Sequence, residues 1–492
     1  MKENNSNESK LARTGVPGLD EILHGGLTRG SIHLLEGESG TGKTMLSLRF
    51  SLEGLRLGEP VLYFAFSENR DDLQEIARVH KWDINKLEIL EAGFVEEQPS
   101  SMFHHSEVEL GREIQNFKEA VDRIQPKRLI IDSLSEFRIL SQSTLHYRRA
   151  MMDLKRFLIS KGCTVLLVDE PRDGDNHRSL VDGALILESH APDYGTDRRR
   201  LRILKLRGRS YLGGYHDFII RTGGLEVFPR LVAAEHRKGK DAKILKSGLK
   251  RLDALLGGGI RSGSSVLLVG PTGTGKSSIA TLYASSAMKR GEKVLFFTFD
   301  ELPGFTLNRA KWLNIDLQTG LENGLLHLQQ VDPAELLPGQ FAHIIRQRVK
   351  EGKVRMVVID SLNGYLHSMP DEKYMISQLH EMLTYLSQQG VATFLIMGQS
   401  GVGSSWRTPV DTSYLTDSAI IFRFFELEGE IHRAIVAIKQ RSGPHEHGIW
   451  ELRFERDGIK IGDKLKQIHG VLFSNLINTS HLDFLKNGEN GR

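Results

Sequence analysis

The 492-residue chain is expected to be an α/β protein of two tandem domains. Each domain should be a mostly parallel, twisted sheet flanked by helices. Three observations carry this expectation: an internal repeat, an alternation of short apolar runs with helix-like stretches, and a glycine-rich loop at the same place in each copy.

The repeat comes first. Thr14–Gly37 reads TGVPGLDEILHGGLTRGSIHLLEG, and Ser247–Gly270 reads SGLKRLDALLGGGIRSGSSVLLVG. Both open on a hydroxyl residue and Gly, place Leu-Asp next (Leu19-Asp20, Leu252-Asp253), then a glycine pair (Gly25-Gly26, Gly258-Gly259). The offset from Thr14 to Ser247 is 233. GESGTGKT and GPTGTGKS end at Thr44 and Ser277, again 233 apart. LIIDSL and VVIDSL hold Asp132 and Asp360, 228 apart, and KLR at Lys205–Arg207 returns as KQR at Lys439–Arg441, 234 apart. Duplication of one domain explains four landmarks in the same order. The expected plan is a disordered leader (1–12), a first domain (13–234), a charged linker (235–246), a second domain (247–479) and a flexible tail (480–492).

Strands are expected at Ser31–Glu36, Pro60–Phe66, Arg128–Asp132, Thr164–Val168 and Ala184–Glu188, with helices at Lys43–Leu57, Asp71–His80, Glu107–Ile124 and Leu145–Ser160. In the second copy, Ser265–Val269, Lys293–Phe299, Val354–Asp360 and Ala392–Met397 take the strand places. Short apolar runs between helices mark a sheet buried on both faces. The run Arg198–Arg200 reads as an exposed loop.

Composition excludes several classes. Lys+Arg number 65 against Asp+Glu 62, a net charge of +3, which argues against nucleic acid as a partner held by bulk charge. At 39% hydrophobic and 26% charged, the chain reads as an ordinary globular protein. No apolar stretch of about 18 residues exists, so no membrane span is expected. The first ten residues lack the apolar core of a signal peptide. One cysteine, Cys163, excludes an internal disulfide and fits a reducing cytosol, so a cytoplasmic location is expected.

The glycine-rich loops carry the chemistry. Gly37-Glu38-Ser39-Gly40-Thr41-Gly42-Lys43-Thr44 and Gly270-Pro271-Thr272-Gly273-Thr274-Gly275-Lys276-Ser277 both fit G-x-x-x-x-G-K-[ST] between a strand and a helix. Glycines let successive N–H groups turn inward onto phosphate oxygens, and the following helix presents its positive end. Lys43 and Lys276 would reach the β and γ phosphates, and Thr44 and Ser277 would ligate Mg²⁺, so ATP with Mg²⁺ is the expected ligand. Asp132 and Asp360, each closing an apolar strand, are the expected second side of the metal site. A base must orient the attacking oxygen. Glu68, Asp300 and Glu301, just after the second strand of each copy, are the candidates, with a helix cap as the alternative for each.

Phosphate loops, strand-end acids and Lys-x-Arg segments in this order resemble the KaiC family, double-domain RecA-like ATPases and autokinases of the cyanobacterial clock. The resemblance runs from about Thr14 to Asn475, and Phe422–Lys460 is especially similar to KaiC-like proteins outside the clock-bearing bacteria. It implies two RecA-like P-loop domains and a homohexamer of two stacked rings with ATP at the subunit seams. Lys205, Arg207, Lys439 and Arg441 match the family's basic residues that reach a neighbour's γ-phosphate. The family phosphorylates an adjacent Ser-Thr pair in the second domain; here that pair is Ser413-Tyr414, leaving Ser413 as the expected phosphoacceptor. The family's consecutive glutamates become Ser67-Glu68 and Asp300-Glu301. A serine autokinase and ATPase acting as a timing or signalling switch, read by a KaiB-like partner protein, is the implied role. A RecA- or DnaB-like DNA-dependent ATPase and a slow nucleotide-gated scaffold remain as alternatives, because fold alone does not fix function.

Overall fold

Apolar, β-branched runs form the middle of two sheets. The computed structural model describes residues 10–92, 105–141, 143–171, 177–192, 195–236, 243–367, 372–399, 415–466, 468–469 and 477–478. The chain divides into two units, Met1–Arg230 and Leu231–Arg492.

In the first unit the strands are β1 (Ile32–Gly37), β2 (Val61–Ala65), β3 (Glu88–Glu91), β4 (Arg128–Asp132), β5 (Thr164–Asp169), β6 (Gly183–His190), β7 (Arg198–Leu206), β8 (Tyr215–Arg221) and β9 (Gly224–Phe228). They form one nine-stranded sheet in the order β9-β8-β7-β6-β1-β5-β4-β2-β3. From β6 to β3 every pairing is parallel, and β7, β8 and β9 add on as an antiparallel edge. β1, β2, β4 and β5 are buried along their whole length, as helices on both faces require. On one face Leu34, Phe64, Leu129 and Val165 pack with Phe117, Val121, Leu154 and Leu158 of the helices His105–Ile124 and Thr144–Ser160.

The second unit repeats this plan with β10 (Ser265–Gly270), β11 (Lys293–Thr298), β12 (Leu326–Gln330), β13 (Val354–Asp360), β14 (Ala392–Gly398), β15 (Ser418–Leu427), β16 (Glu430–Gln440), β17 (Trp450–Glu455) and β18 (Gly458–Lys464). Its order is β18-β17-β16-β15-β10-β14-β13-β11-β12, strand for strand that of the first. Leu268, Phe296, Ile279 and Tyr283 pack on one face, and Val269, Phe297, Phe341 and Leu386 on the other. Each unit is thus a mostly parallel RecA-like α/β domain.

The edge strands are what pattern reading did not find. β7 buries Leu201, Ile203 and Leu206 within a run dense with half-buried and exposed Arg and Lys, so its period is hidden by charge. Arg198–Arg200 lies on β7, not in a loop. The Arg200 side chain pairs with Glu188 at 2.8 Å and lies 4.2 Å from the Tyr215 ring centre. One irregularity recurs in both units. β6–β7 pairing shifts between Ala184 and Leu185, and β15–β16 pairing between Ala419 and Ile420. The skipped residues are Leu204 and Ile438, immediately before Lys205 and Lys439, and such bulges re-aim the side chains beside them. Among the described residues no helix is long and apolar enough to cross a membrane.

His33 on β1 and His216 on β8 are fully buried. His33 Nε2 lies 3.0 Å from Thr28 O. His216 places Nε2 2.9 Å from Leu212 O, and its Nδ1 accepts from the Arg230 N–H at 2.9 Å. Burial lowers both to about pKa 4 from 6.5. The folded pKa is depressed, so the unfolded chain binds more protons between pH 6.5 and 4, and stability falls as pH falls through that window. Urea unfolding should show the first unit losing about 1.5 kcal/mol per histidine between pH 6.5 and 5. Equal midpoints at the two pH values contradict this.

Candidate functional site

Each phosphate loop stands where the central strand hands the chain to a helix. β1 ends at Gly37 and α1 (Lys43–Arg56) begins six residues later. Gly40 and Gly42 take φ of 77° and 96°, the left-handed region that glycine enters without cost. A Cβ on Gly37 would stand 2.6 Å from Thr41 Oγ1 and 2.9 Å from Leu187 O. No side chain caps α1, so its first N–H groups remain for an anion. Thr41 Oγ1 donates to Glu38 O at 2.7 Å, and Lys43 Nζ donates to Gly37 O and Glu38 O at 2.7 and 2.9 Å. Ser39, Gly40, Gly42, Lys43 and Thr44 line a cavity of about 520 Å³.

The second loop repeats these contacts between β10 and α3 (Lys276–Lys289). Thr274 Oγ1 donates to Pro271 O at 2.7 Å, and Lys276 Nζ donates to Gly270 O and Pro271 O at 2.7 and 2.8 Å. Burial lowers the Lys276 ammonium to about 8. Pro271, Thr272, Gly273, Gly275, Lys276 and Ser277 line a cavity of about 1040 Å³. Aromatic Phe424 and Phe454 share its wall with Arg433, whose guanidinium lies 5.8 and 5.4 Å from their rings.

The strand-end acids face these loops. Asp132 closes β4 and accepts from Tyr63 Oη at 2.6 Å and from Thr44 Oγ1 at 3.5 Å. Burial raises its carboxyl above the ordinary range, against the Tyr63 hydrogen bond. Asp360 closes β13, and burial pushes it to about 6 against a hydrogen bond from Ser277. Its Oδ2 is buried without a hydrogen-bond partner among the described residues. A hydroxyl, a carboxylate and an orphaned carboxylate oxygen are hard oxygen donors, the set that Mg²⁺ takes alongside nucleotide phosphates. The residues present therefore fit Mg²⁺.

The candidate bases differ between the units. Glu68 accepts from Thr44 Oγ1 at 3.1 Å, and its Oε2 is buried without a partner among the described residues. Burial, then the Asp132 charge, raises its carboxyl. Glu68 is not a helix cap: Asn69 caps α2 (Arg70–Val79) through the Asp72 N–H. Ser67 Oγ lies 3.1 Å from Ser133 Oγ. In the second unit Asp300 accepts from Ser361 Oγ. Glu301 accepts from Arg309 Nη1 and Nη2 at 2.9 and 2.6 Å and from Thr306 Oγ1 at 2.5 Å. Burial alone would raise Glu301, but the Arg309 and Thr306 bonds hold it below its ordinary value. Tyr63 and Arg309 escaped sequence reasoning because each acts through a partner only the fold supplies.

The Lys-x-Arg residues are not brought to their own loops. Gly37 pairs with Leu187 across β1–β6, but Lys205 pairs with Ala184, three residues back along β6, roughly 10 Å at strand rise. Lys205 Nζ donates to Arg178 O. The Arg207 N–H donates to Asp182 O at 2.8 Å, further still from the loop. Lys439 pairs with Ala419, and the Arg441 N–H donates to Asp417 O at 2.8 Å. Lys439 Nζ donates to Thr416 O at 2.6 Å. Ser413 lies outside the described residues.

A glycine-rich loop between a buried central strand and a helix, faced by a strand-end acid, defines the P-loop nucleoside triphosphatases of RecA-like fold. The family model described as "ATPase: KaiC" matches residues 12–232 and again 245–466. The chain belongs to the KaiC ATPase family, with two tandem copies of its domain. It is similar to the circadian clock oscillator protein KaiC of Acaryochloris marina, 27% identical over 488 residues, 96% of this chain and 92% of that protein. The KaiC proteins of Thermostichus vulcanus and Synechococcus elongatus are also 27% identical, over 485 and 486 residues, covering 96% and 95% of this chain and 92% of each relative.

Gly275 tests the second loop. Its φ is 99°, and a Cβ there would stand 2.0 Å from the Phe454 ring. Gly275→Ala should weaken ATP binding at the second site about tenfold or more, about 1.4 kcal/mol, with the first site unchanged. Labelled-nucleotide titration checks this, and unaltered affinity at both sites contradicts it.

Proposed function

We propose that the protein is a Mg²⁺-dependent ATPase that works in the cytoplasm as a homohexameric double ring and phosphorylates itself on Ser413. The observation that carries the reading is the repeated grouping of loop lysine, hydroxyl and strand-end acid around one cavity in each unit. Thr44 with Asp132, and Ser277 with Asp360, would hold Mg²⁺, which supplies positive charge against the β and γ oxygens. Lys43 and Lys276 add their ammonium charges to the same oxygens. In hydrolysis at the first site, the water oxygen bonds to the γ-phosphorus as the bond to the β,γ-bridging oxygen breaks. The water proton passes to Glu68, whose raised carboxyl suits a base. ADP leaves with the bridging oxygen.

Autophosphorylation uses the same bond change, with the Ser413 hydroxyl in place of water and its proton passing to an acid after β11. Lys205 and Arg207, and Lys439 and Arg441, lie away from their own loops by strand register. That supports their acting on a neighbouring copy, where an arginine stabilises the charge that spreads over the moving phosphoryl group. Relatives named as circadian clock oscillator proteins support a timing or signalling switch read by a KaiB-like partner.

Two measurements test this. Lys43→Ala with Lys276→Ala should lower ATP turnover by about 100-fold or more, and Mg-ATP should shift the wild-type chain from small species to a hexamer on sizing. An unchanged small species contradicts the ring. After incubation with ATP, mass spectrometry should place phosphate on Ser413, and Ser413→Ala should lose it. Phosphate confined to other residues, or none, leaves a plain ATPase.

A further inference from the structure

The two sites correspond at an offset of 233: Lys43 with Lys276, Glu68 with Glu301, and α2 with α4 (Pro303–Trp312). One cavity-lining position on these matched helices changes from apolar to charged. Ile76 on α2 lines the first cavity, and its counterpart on α4, Arg309, lines the second. Arg309 spends both terminal nitrogens on Glu301, in a two-point ion pair at 2.9 and 2.6 Å, and Thr306 Oγ1 adds a third bond at 2.5 Å. Glu68 has nothing of the kind. Among the described residues its one hydrogen bond comes from Thr44, and its other oxygen is buried and unpartnered.

We infer that Arg309 is a positioning residue that restrains water activation at the second site by clamping Glu301, whereas Glu68, beside Ile76, stays available. A carboxylate that already accepts three charge-assisted or hydroxyl hydrogen bonds is a poor acceptor for a further proton. Both of its oxygens are already engaged by the guanidinium and the Thr306 hydroxyl. The Glu301 pair buries both partners only in part, so the clamp is worth little as a stabiliser of the fold. Its consequence lies in what it withholds. Asp300 lines the same cavity and carries only the Ser361 bond among those seen, so it is the acid left unclamped there. The second site is thereby biased away from water activation. This inference rests on the ATPase reading above.

The test uses the full chain with Mg-ATP. Glu68→Gln removes first-site water activation, so the residual turnover belongs to the second site. On that background Arg309→Ile should raise kcat about tenfold, a small part of a general base's usual contribution, with KM within about twofold. Arg309→Lys, which retains a cation for Glu301, should stay within about twofold of the background. The reciprocal variant, Ile76→Arg in the otherwise wild-type chain, should bring a cation to Glu68 and lower total turnover about tenfold. Thermal melts and nucleotide occupancy confirm that each variant is folded and loaded. Unchanged or lower kcat for loaded Arg309→Ile overturns the inference, as does a rise in KM alone, which would make Arg309 a phosphate-binding residue. If Arg309→Ile does not fold, an Ile76→Arg chain that turns over as fast as wild type overturns it. A wild-type chain that binds Mg-ATP and never hydrolyses it defeats the ATPase reading itself.

Discussion

The ammonium group of the loop lysine holds each nucleotide site together. In both units it donates to two carbonyls of its own loop, those of Gly37 and Glu38 or of Gly270 and Pro271. Those carbonyls turn inward only because glycine accepts the left-handed backbone two and four residues later. The loop in turn hangs from the central strand, β1 or β10, paired on both sides by parallel neighbours. A strand buried on two faces and paired along two edges cannot slip register without exposing its core. The loop, the helix N-terminus behind it and the strand-end acid beside it are therefore positioned by the same hydrogen-bond ladder.

Around this shared frame the two units have diverged at a few positions beside the acids. Tyr63 ties its hydroxyl to Asp132, while the second unit has Phe296 at the corresponding place, 233 residues on, and Asp360 keeps an unpartnered oxygen. Ile76 gives way to Arg309, and Glu301 is clamped where Glu68 is not. The second cavity is also the larger and carries two aromatic rings. None of these changes disturbs the strand order. Duplication fixes the scaffold; the chemistry then differs by which side chain faces each carboxylate.

Much of this was legible in the residues. The parallel core strands read clearly because burial on both faces makes them continuous apolar runs: Arg128–Asp132 and Val354–Asp360 fall where expected. The loops read clearly because their glycines, lysine and hydroxyl sit at fixed spacing. The antiparallel edge did not, since β7 mixes five Arg and Lys residues into its nine. Arg198–Arg200 therefore reads as a loop from sequence alone. The clamp on Glu301 was equally invisible. An arginine eight residues after a glutamate is unremarkable until a strand end and a helix bring them within 3 Å. The 233-residue register contained the clue, since it sets Arg309 against Ile76, but only a cavity shared with Glu301 gives that difference a meaning.

We propose that one chain carries two independent Mg-nucleotide sites built on the same loop. The most direct test is calorimetric titration of the full chain with Mg²⁺ and a non-hydrolysable ATP analogue. Two equivalents per chain are expected, falling to one when either Lys43 or Lys276 is replaced by Ala, and to none when both are. A single equivalent in the wild-type chain, or two equivalents surviving the double substitution, would contradict it.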